Sequence, residues 1–208
     1  MKKLPRSFYS RSAPQVAKSL LGKILVRKIG RTTLSGKIVE VEAYRQNDPA
    51  SHSFRGKTKR NEVMFGEPGH LYVYFTYGMH FCANVVTGKN GIGEAVLLRA
   101  VQPMSGIKVM RKNRGFAADR RDEENQPDVR HLKGVRHLYN LTNGPAKLCE
   151  AFGIKREENG IDLRGDKIFL IGGGGPKSAI ETSTRIGITR GKEKRWRLFL
   201  KGNEWVSK

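Results

Sequence analysis

Two glutamates stand two residues apart in a segment that alternates like a β-strand, and they are strong candidates for chemistry. In residues 36–44 the valines and the alanine fall on one face, whereas Glu40, Glu42 and Tyr44 share the other. Glutamate is depleted in strands, so this face is either the solvated side of an edge strand or the wall of a pocket. In a pocket, desolvation would tune a glutamate for general-base catalysis.

A second region places phenols, an imidazole and an amide on one face. β-Branched and aromatic residues run through residues 71–86 on both sides of Tyr77 and Gly78, which predicts an antiparallel hairpin. Side-chain parity favours a three-residue loop at residues 76–78 with Gly78 left-handed. The polar face then carries Tyr72, Tyr74, His80, Cys82 and Asn84. Tyr77, at the tip, either folds back onto its own strands or projects as a wedge.

The charge balance indicates a polyanionic partner. The 208 residues include 40 lysines and arginines against 19 acidic residues, which gives a formal charge of +21. This excess is self-repulsive, and nucleic acid offsets it most readily. We expect no membrane association, because no long apolar run, amphipathic basic helix or secretory signal is present. The two cysteines lack metal-ligand spacing and predict reduced thiols in a cytoplasmic protein.

A basic, hydroxyl-rich segment lies between these two regions. Residues 52–61 combine one histidine with arginines, lysines, hydroxyls and an amide, inside a stretch rich in turn signals. We predict a loop that is either solvated or in contact with phosphates. The candidates for phosphate contact are Arg55, Thr58 and Arg60. His52 gains interest because it is close in sequence to the strand that carries Glu42.

The remaining segments predict mostly scaffold. Ser12 is a plausible N-cap, and residues 145–152 form a helix that ends at Gly153. A strand at residues 95–101 and a helix at residues 103–113 follow from their apolar patterns. We expect residues 114–140 to form a mobile excursion. The glycine run at residues 172–178 predicts a turn, since its proline excludes a phosphate-binding loop.

In chain order these motifs resemble the alkyladenine (3-methyladenine) DNA glycosylase family, in its bacterial form. The resemblance rests on Glu40-Val41-Glu42-Ala43-Tyr44, Ala50-Ser51-His52-Ser53, and residues 64–84, 96–100, 141–148, 185–188 and 199–207. The Glu/Tyr/His cluster with the Tyr-Gly hairpin tip is the most specific part. The resemblance implies a single domain, residues 1–208, of mixed α/β (α+β) class. In it a curved antiparallel β-sheet is surrounded by helices, and a DNA-inserting β-hairpin protrudes.

The resemblance also implies a function. The protein is expected to be a monomeric, monofunctional DNA glycosylase of base excision repair whose partner is double-stranded DNA containing damaged purines. It would swing an alkylated or deaminated purine out of the duplex and hydrolyse its N-glycosidic bond, leaving an abasic site without cleaving the strand. Simple hydrolysis of this kind needs no metal and no other cofactor.

By the same resemblance, Glu42 deprotonates the attacking water, which Arg99 and the backbone carbonyl of Ile186 help to hold. The slot for the flipped base is formed by Tyr44, His52, Tyr74 and Asn84. Tyr77 wedges into the minor groove in place of the extruded nucleotide. The residues expected beside this wedge are Gly78, Met79 and His80.

Two other classes of function remain open from the sequence. One is a non-catalytic nucleic-acid-binding module that uses the hairpin tyrosines for stacking and the basic loop for phosphates. The other is an enzyme on the same scaffold with a different base or nucleic acid as its substrate. Glu42 discriminates against the binding module, which has no use for a carboxylate in a slot meant for a polyanion.

Overall fold

The computed structural model describes residues 2–116, 140–173 and 178–207, and one antiparallel sheet organises them. Within these ranges the eight strands are β1 (Ile24–Ile29), β2 (Thr32–Tyr44), β3 (Leu71–Thr76), β4 (His80–Val86), β5 (Ala95–Ser105), β6 (Ile168–Ile171), β7 (Ile180–Ser183) and β8 (Arg197–Leu200). Along the sheet the order is β3-β4-β5-β2-β1-β6, and β8 joins β2 to β7.

The long strand β2 lies in the middle of this sheet. It pairs with β1 over its first half, with β5 along most of its length, and with β8 at residues 40–42. The register against β5 shifts on both sides of Glu40, and such bulges bend a strand. The edge-strand interpretation of the two glutamates is therefore wrong, since Glu40 and Glu42 are both fully buried in the centre of the sheet.

The described ranges contain four helices, α1 (Arg6–Tyr9), α2 (Ala13–Leu20), α3 (Ile107–Asn113) and α4 (Pro145–Phe152), and α2, α3 and α4 pack against the sheet. Ser12 is the N-cap of α2, where its amide and hydroxyl both bond the Gln15 side chain. Gly153, at φ +66°, ends α4. Both predicted boundaries are confirmed, because capping depends on a few neighbouring residues. Short 3₁₀ turns lie at Glu62–Phe65 and Arg156–Glu158.

The boundary between β5 and α3 differs from the sequence prediction. The predicted strand 95–101 continues to Ser105, and the helix begins at Ile107 instead of residue 103. Pro103 stays in the strand opposite Gly36, next to a register shift where a missing N–H is tolerated. The helical periodicity read from residue 103 onward thus included part of a strand.

The core lies between the helices and the inner face of the sheet, and it joins residues from nearly every element. The expected α+β class with a curved antiparallel sheet is confirmed. Most of the excursion predicted at 114–140, and the middle of the 172–178 turn, lie outside the described residues. Among the described helices, none has the length and apolar character needed to span a bilayer.

The predicted hairpin forms from β3 and β4. Its loop has three residues as expected but lies one residue later, at residues 77–79, because Thr76 and His80 still pair. Gly78 is left-handed at φ +68°, and Tyr77 shares this region at φ +51°. Tyr77 is 83% exposed, so it does not fold back onto its own strands.

Candidate active site

A cavity of about 360 Å³ opens beside the hairpin tip and collects most of the predicted site residues. It is lined from β2, the loop after β2, the hairpin, β5 and the loop before β8. The predicted residues found in its lining are Tyr44, His52, Arg60, Tyr74, Tyr77, Asn84, Arg99 and Ile186. Its size is within the usual range of small-molecule sites, and its walls combine aromatic rings with polar side chains such as His52, Arg60, Asn84 and Arg99.

Aromatic rings from the hairpin and the adjacent loop form one wall of the cavity. The ring centroids of His52 and Tyr74 are 4.5 Å apart with an interplanar angle of 74°, and Tyr72 and Tyr74 are 5.6 Å apart. His52 Nδ1 is 3.0 Å from the Tyr72 hydroxyl. Asn84 is fixed in the same wall, because its side-chain amide donates to the Tyr72 carbonyl over 3.1 Å.

The ionisable groups of this wall are held in their neutral forms. Partial desolvation of the ring against Tyr72 and Tyr74, with a smaller contribution from the Arg60 charge, lowers the pKa of His52 below 6.5. Burial also raises the pKa of Tyr74, whose hydroxyl bonds the Cys82 thiol. At neutral pH the wall therefore presents an uncharged imidazole and an uncharged phenol to the cavity.

Glu42 lies immediately behind the cavity and has no exposed area. The Tyr44 hydroxyl donates to Oε2 over 2.8 Å, and the Ile186 backbone N–H donates to Oε1 over 2.8 Å. Arg99 Nη1 lies 3.1 Å from the same Oε1. Burial and the Glu42 charge raise the pKa of Tyr44, so the phenol keeps the proton that it donates. The Ile186 amide thus contacts Glu42 itself, whereas the resemblance assigns the Ile186 carbonyl to the attacking water.

The loop that carries Ile186 is fastened to the sheet by a buried ion pair. Arg185 and Asp48 have no exposed side-chain area, and the two terminal guanidinium nitrogens donate to the two carboxylate oxygens. The same guanidinium donates to the Ala43 carbonyl and lies 4.6 Å from the centroid of the Tyr44 ring. This pair therefore sets the position of the Ile186 amide and supports the face of Tyr44 that it covers.

The predicted DNA-contacting residues lie around the cavity. Arg60 lines it and places its guanidinium 5.9 Å from the Tyr74 ring centroid, whereas Arg55 and Thr58 are exposed on the preceding loop, outside its lining. Met79, 69% exposed, and His80 instead border a second hollow of about 450 Å³ between the hairpin and α4. Although His80 pairs with Thr76, it does not line the aromatic cavity as side-chain parity predicted.

Comparison with known proteins agrees with this geometry. The family described as methylpurine-DNA glycosylase (MPG) matches residues 7–204. The chain belongs to this family. It is accordingly a DNA glycosylase, a hydrolase of N-glycosidic bonds, and both the family and the enzyme class expected from the sequence are confirmed.

Several curated members of the family resemble the chain over almost its whole length. A protein of Carboxydothermus hydrogenoformans is 50% identical over 207 residues, covering 99% of this chain and 98% of the relative. One of Clostridium acetobutylicum is 45% identical, with 99% and 97% covered. One of Methanoculleus marisnigri is 44% identical, with 99% and 98% covered. Each is named "Putative 3-methyladenine DNA glycosylase".

Sequence reasoning missed several residues that build this glycosylase site. Glu40 was placed beside Glu42 but given no task, and Asp48, Arg185 and Ser207 were not singled out for any role in the site. Asp48 and Arg185 are 137 residues apart in sequence, and Glu40 and Ser207 are 167 residues apart, so local patterns carry little signal for either pair. The signal that remains is that a charged residue in a segment expected to be buried needs a partner of opposite charge. Among the described residues, no cluster of His, Cys, Asp and Glu could hold a metal ion.

Proposed function

We propose that this glycosylase is monofunctional and removes alkylated or deaminated purines from duplex DNA by means of a water that Glu42 activates. The observation that carries the proposal is the Glu42 carboxylate. It is enclosed behind an aromatic cavity, and three donors hold it beside a strongly exposed tyrosine. A module that only binds nucleic acid has no use for a buried carboxylate at this place.

The cavity suits a purine that has been turned out of the helix. Stacking on Tyr44 and Tyr74 offers about 1–3 kcal/mol per base, and a cationic alkylated purine gains roughly 0.5–2 kcal/mol more from cation–π attraction. Because His52 is neutral, it does not repel such a cation. Asn84, fixed by its bond to the Tyr72 carbonyl, forms the part of the wall that disfavours a guanine amino group.

The chemical step is a hydrolysis. The bond between C1′ and the purine nitrogen breaks, and its electron pair leaves with the base, which the positive charge of an alkylated purine makes easy. Water adds to C1′ of the oxocarbenium-like sugar while Glu42 takes its proton, and the negative carboxylate stabilises the developing positive charge. The Tyr44 hydroxyl donates to Oε2, and a carboxylate oxygen can accept a second bond, here from the attacking water.

The surroundings of the cavity agree with binding to duplex DNA and simple hydrolysis. Tyr77 would fill the space of the extruded nucleotide, and Met79 and His80 would contact the strand beside it. Arg55, Thr58 and the backbone near Gly78 would contact phosphates. No lysine is among the described residues of the cavity lining, so no amine is placed to form a Schiff base and cleave the strand. We assign the protein to the cytoplasm as a monomer on chromosomal DNA.

Base release from duplex oligonucleotides tests the proposal. The substrates carry 3-methyladenine, hypoxanthine or 1,N6-ethenoadenine, and wild type is compared with Glu42→Gln. We expect the variant to be at least about 100-fold slower, since a general base contributes roughly 10²–10⁴-fold. Glu94→Gln is the matched control, because Glu94 is also buried and bonds an arginine and a backbone amide outside the cavity lining.

The control should release the base at the wild-type rate. Equal rates for wild type and Glu42→Gln would refute the catalytic assignment. Tight lesion binding by wild type without any base release would instead support the non-catalytic binding module.

A further inference from the structure

We propose that Glu40 is a positioning residue for the hydrolysis. Together with Ser207 it holds Arg99, so that the Arg99 guanidinium is shared between the buried carboxylates of Glu40 and Glu42. This sharing leaves Glu42 able to act as a base. This inference rests on the proposed function of Glu42. Glu40 and Ser207 do not line the cavity, so they would act through Arg99, which does.

Glu40 is a carboxylate with no exposed area, and it accepts four hydrogen bonds. Its Oε1 accepts from Arg99 Nε at 2.7 Å, from Arg197 Nε at 2.7 Å and from the Ser207 hydroxyl at 2.8 Å. Its Oε2 accepts from the Ser207 backbone N–H at 2.6 Å. Register shifts flank Glu40 on β2, and bulges of this kind re-aim side chains next to active sites.

The arginine between the two glutamates is fixed from several sides. Arg99 gives Nε to Glu40, Nη1 to Glu42 and Nη2 to the Ser207 hydroxyl at 3.2 Å. Ser207 is itself held, because Arg197 donates to its carbonyl at 2.8 Å. With Glu40 accepting from Nε and Ser207 from Nη2, the guanidinium presents Nη1 to Glu42.

The charges of this cluster balance. Two carboxylates, Glu40 and Glu42, face two guanidinium groups, Arg99 and Arg197. Burial by itself would raise the pKa of Glu40, but the Arg99 charge and the bonds from Arg197 and Ser207 outweigh it and lower this pKa. Glu40 therefore stays ionised and offsets part of the positive charge that would otherwise act on Glu42 alone.

Neutralising Glu40 should weaken the base. In Glu40→Gln the two arginines leave an excess positive charge in a poorly solvated place, and Arg99 pairs with Glu42 alone. A stronger cationic partner favours the ionised form of Glu42 and makes it a poorer proton acceptor. The same excess charge opposes an oxocarbenium-like transition state. The other ionisable groups around Glu42 are unchanged in this variant; they are Tyr44 on β2, Cys82 on β4 and Arg185 behind the Tyr44 ring.

Single-turnover base excision as a function of pH tests this role. We expect Glu40→Gln to lower the maximal rate about 10- to 100-fold, by analogy with the loss when the hydrogen-bond partner of a metal-ligating side chain is removed. The acidic limb of its rate–pH profile should move to lower pH, whereas the affinity for lesion DNA should stay the same. Glu40→Asp keeps the charge and should leave the acidic limb in place.

The matched control is Glu158→Gln. Glu158 is also buried, and it pairs with Arg27 at 2.9 Å and with Lys167 at 3.0 Å, away from the cavity lining. Its loss should lower the melting temperature without moving the acidic limb. If Glu40→Gln behaves in the same way, Glu40 is only structural and the inference is wrong.

Ser207 provides a second test that keeps all charges, and it decides the matter if Glu40→Gln does not fold. Ser207→Ala removes the hydroxyl bonds to Glu40 and Arg99 but keeps the backbone N–H. We expect a several-fold slower step that Ser207→Thr restores, and an unchanged rate for Ser207→Ala would overturn the inference. If wild type releases no base, the proposed function itself fails. If wild type releases base and the Glu40 and Ser207 variants do so at the same rate, only the inference fails.

Discussion

Tyr77 offers a test in which stability and activity should separate. The residue is 83% exposed and holds a left-handed backbone conformation at φ +51°, which only glycine adopts without strain. We predict that Tyr77→Gly leaves the fold as stable as before and slows excision. The left-handed backbone of Tyr77 is unfavourable for the protein alone, so the ring would be present at the tip for its contact with DNA.

The expected stability change follows from three terms that nearly cancel. Relief of the left-handed strain is worth about 1–2 kcal/mol. The greater freedom of glycine in the unfolded chain costs about 0.4–1 kcal/mol. About a sixth of the ring is buried, and losing this area costs roughly 1 kcal/mol. The free energy of unfolding should therefore change by less than about 1 kcal/mol, which corresponds to at most about 4 °C in Tm.

The effect on excision should be much larger. Loss of aromatic stacking at the site of the extruded nucleotide removes about 1–3 kcal/mol, which is about 5- to 150-fold in rate. Thermal unfolding and single-turnover excision are measured on Tyr77→Gly, with Tyr77→Phe to keep the ring and Ile92→Ser as an exposed apolar control outside the cavity lining. A stability loss of about 3 kcal/mol, typical of a packed aromatic, or an unchanged excision rate would refute the wedge.

Three further predictions concern the walls of the cavity. Asp48→Asn leaves its buried arginine partner uncompensated and should cost about 3–5 kcal/mol in urea unfolding; a loss below about 1 kcal/mol would contradict the anchoring role. His52 should titrate below 6.5 by NMR, with a higher midpoint in Arg60→Gln, and a wild-type midpoint above 6.5 would be inconsistent with partial desolvation of its ring against Tyr72 and Tyr74. Because the folded pKa of His52 lies below the unfolded value, its contribution to stability is complete above 6.5 and is lost as the pH falls from there through the lower, folded pKa. Tyr44→Phe keeps the ring but removes a donor to Glu42, so the acidic limb of the excision profile should move to higher pH; a fixed limb would exclude this bond from the working enzyme.

Local patterns predicted much of the fold. The capping of α2 by Ser12, the end of α4 at Gly153 and the length of the hairpin loop all depend on residues within a few positions of one another. Period-two alternation also sorted Tyr72, Tyr74 and Asn84 onto one face of the sheet. These features could be predicted because the relevant physics is contained in short segments.

The remainder depends on long-range packing. Whether Glu42 lay at an edge or in the centre of the sheet depended on its pairing with β5 and β8, which alternation does not reveal. The extension of β5 through Pro103 depended on its register with Gly36. The Ile186 amide is 144 residues from the carboxylate that it bonds, and only the folded chain brings the two together.

The role of Glu42 is tested most directly by separating base flipping from bond cleavage in one experiment. Duplex DNA with the fluorescent base 1,N6-ethenoadenine is mixed with wild type or Glu42→Gln, and base fluorescence and free base are followed together. Both proteins should give the same rapid fluorescence change as the base enters the aromatic cavity, and only wild type should then release it. Release by Glu42→Gln at the wild-type rate would contradict the assignment of this carboxylate as the base.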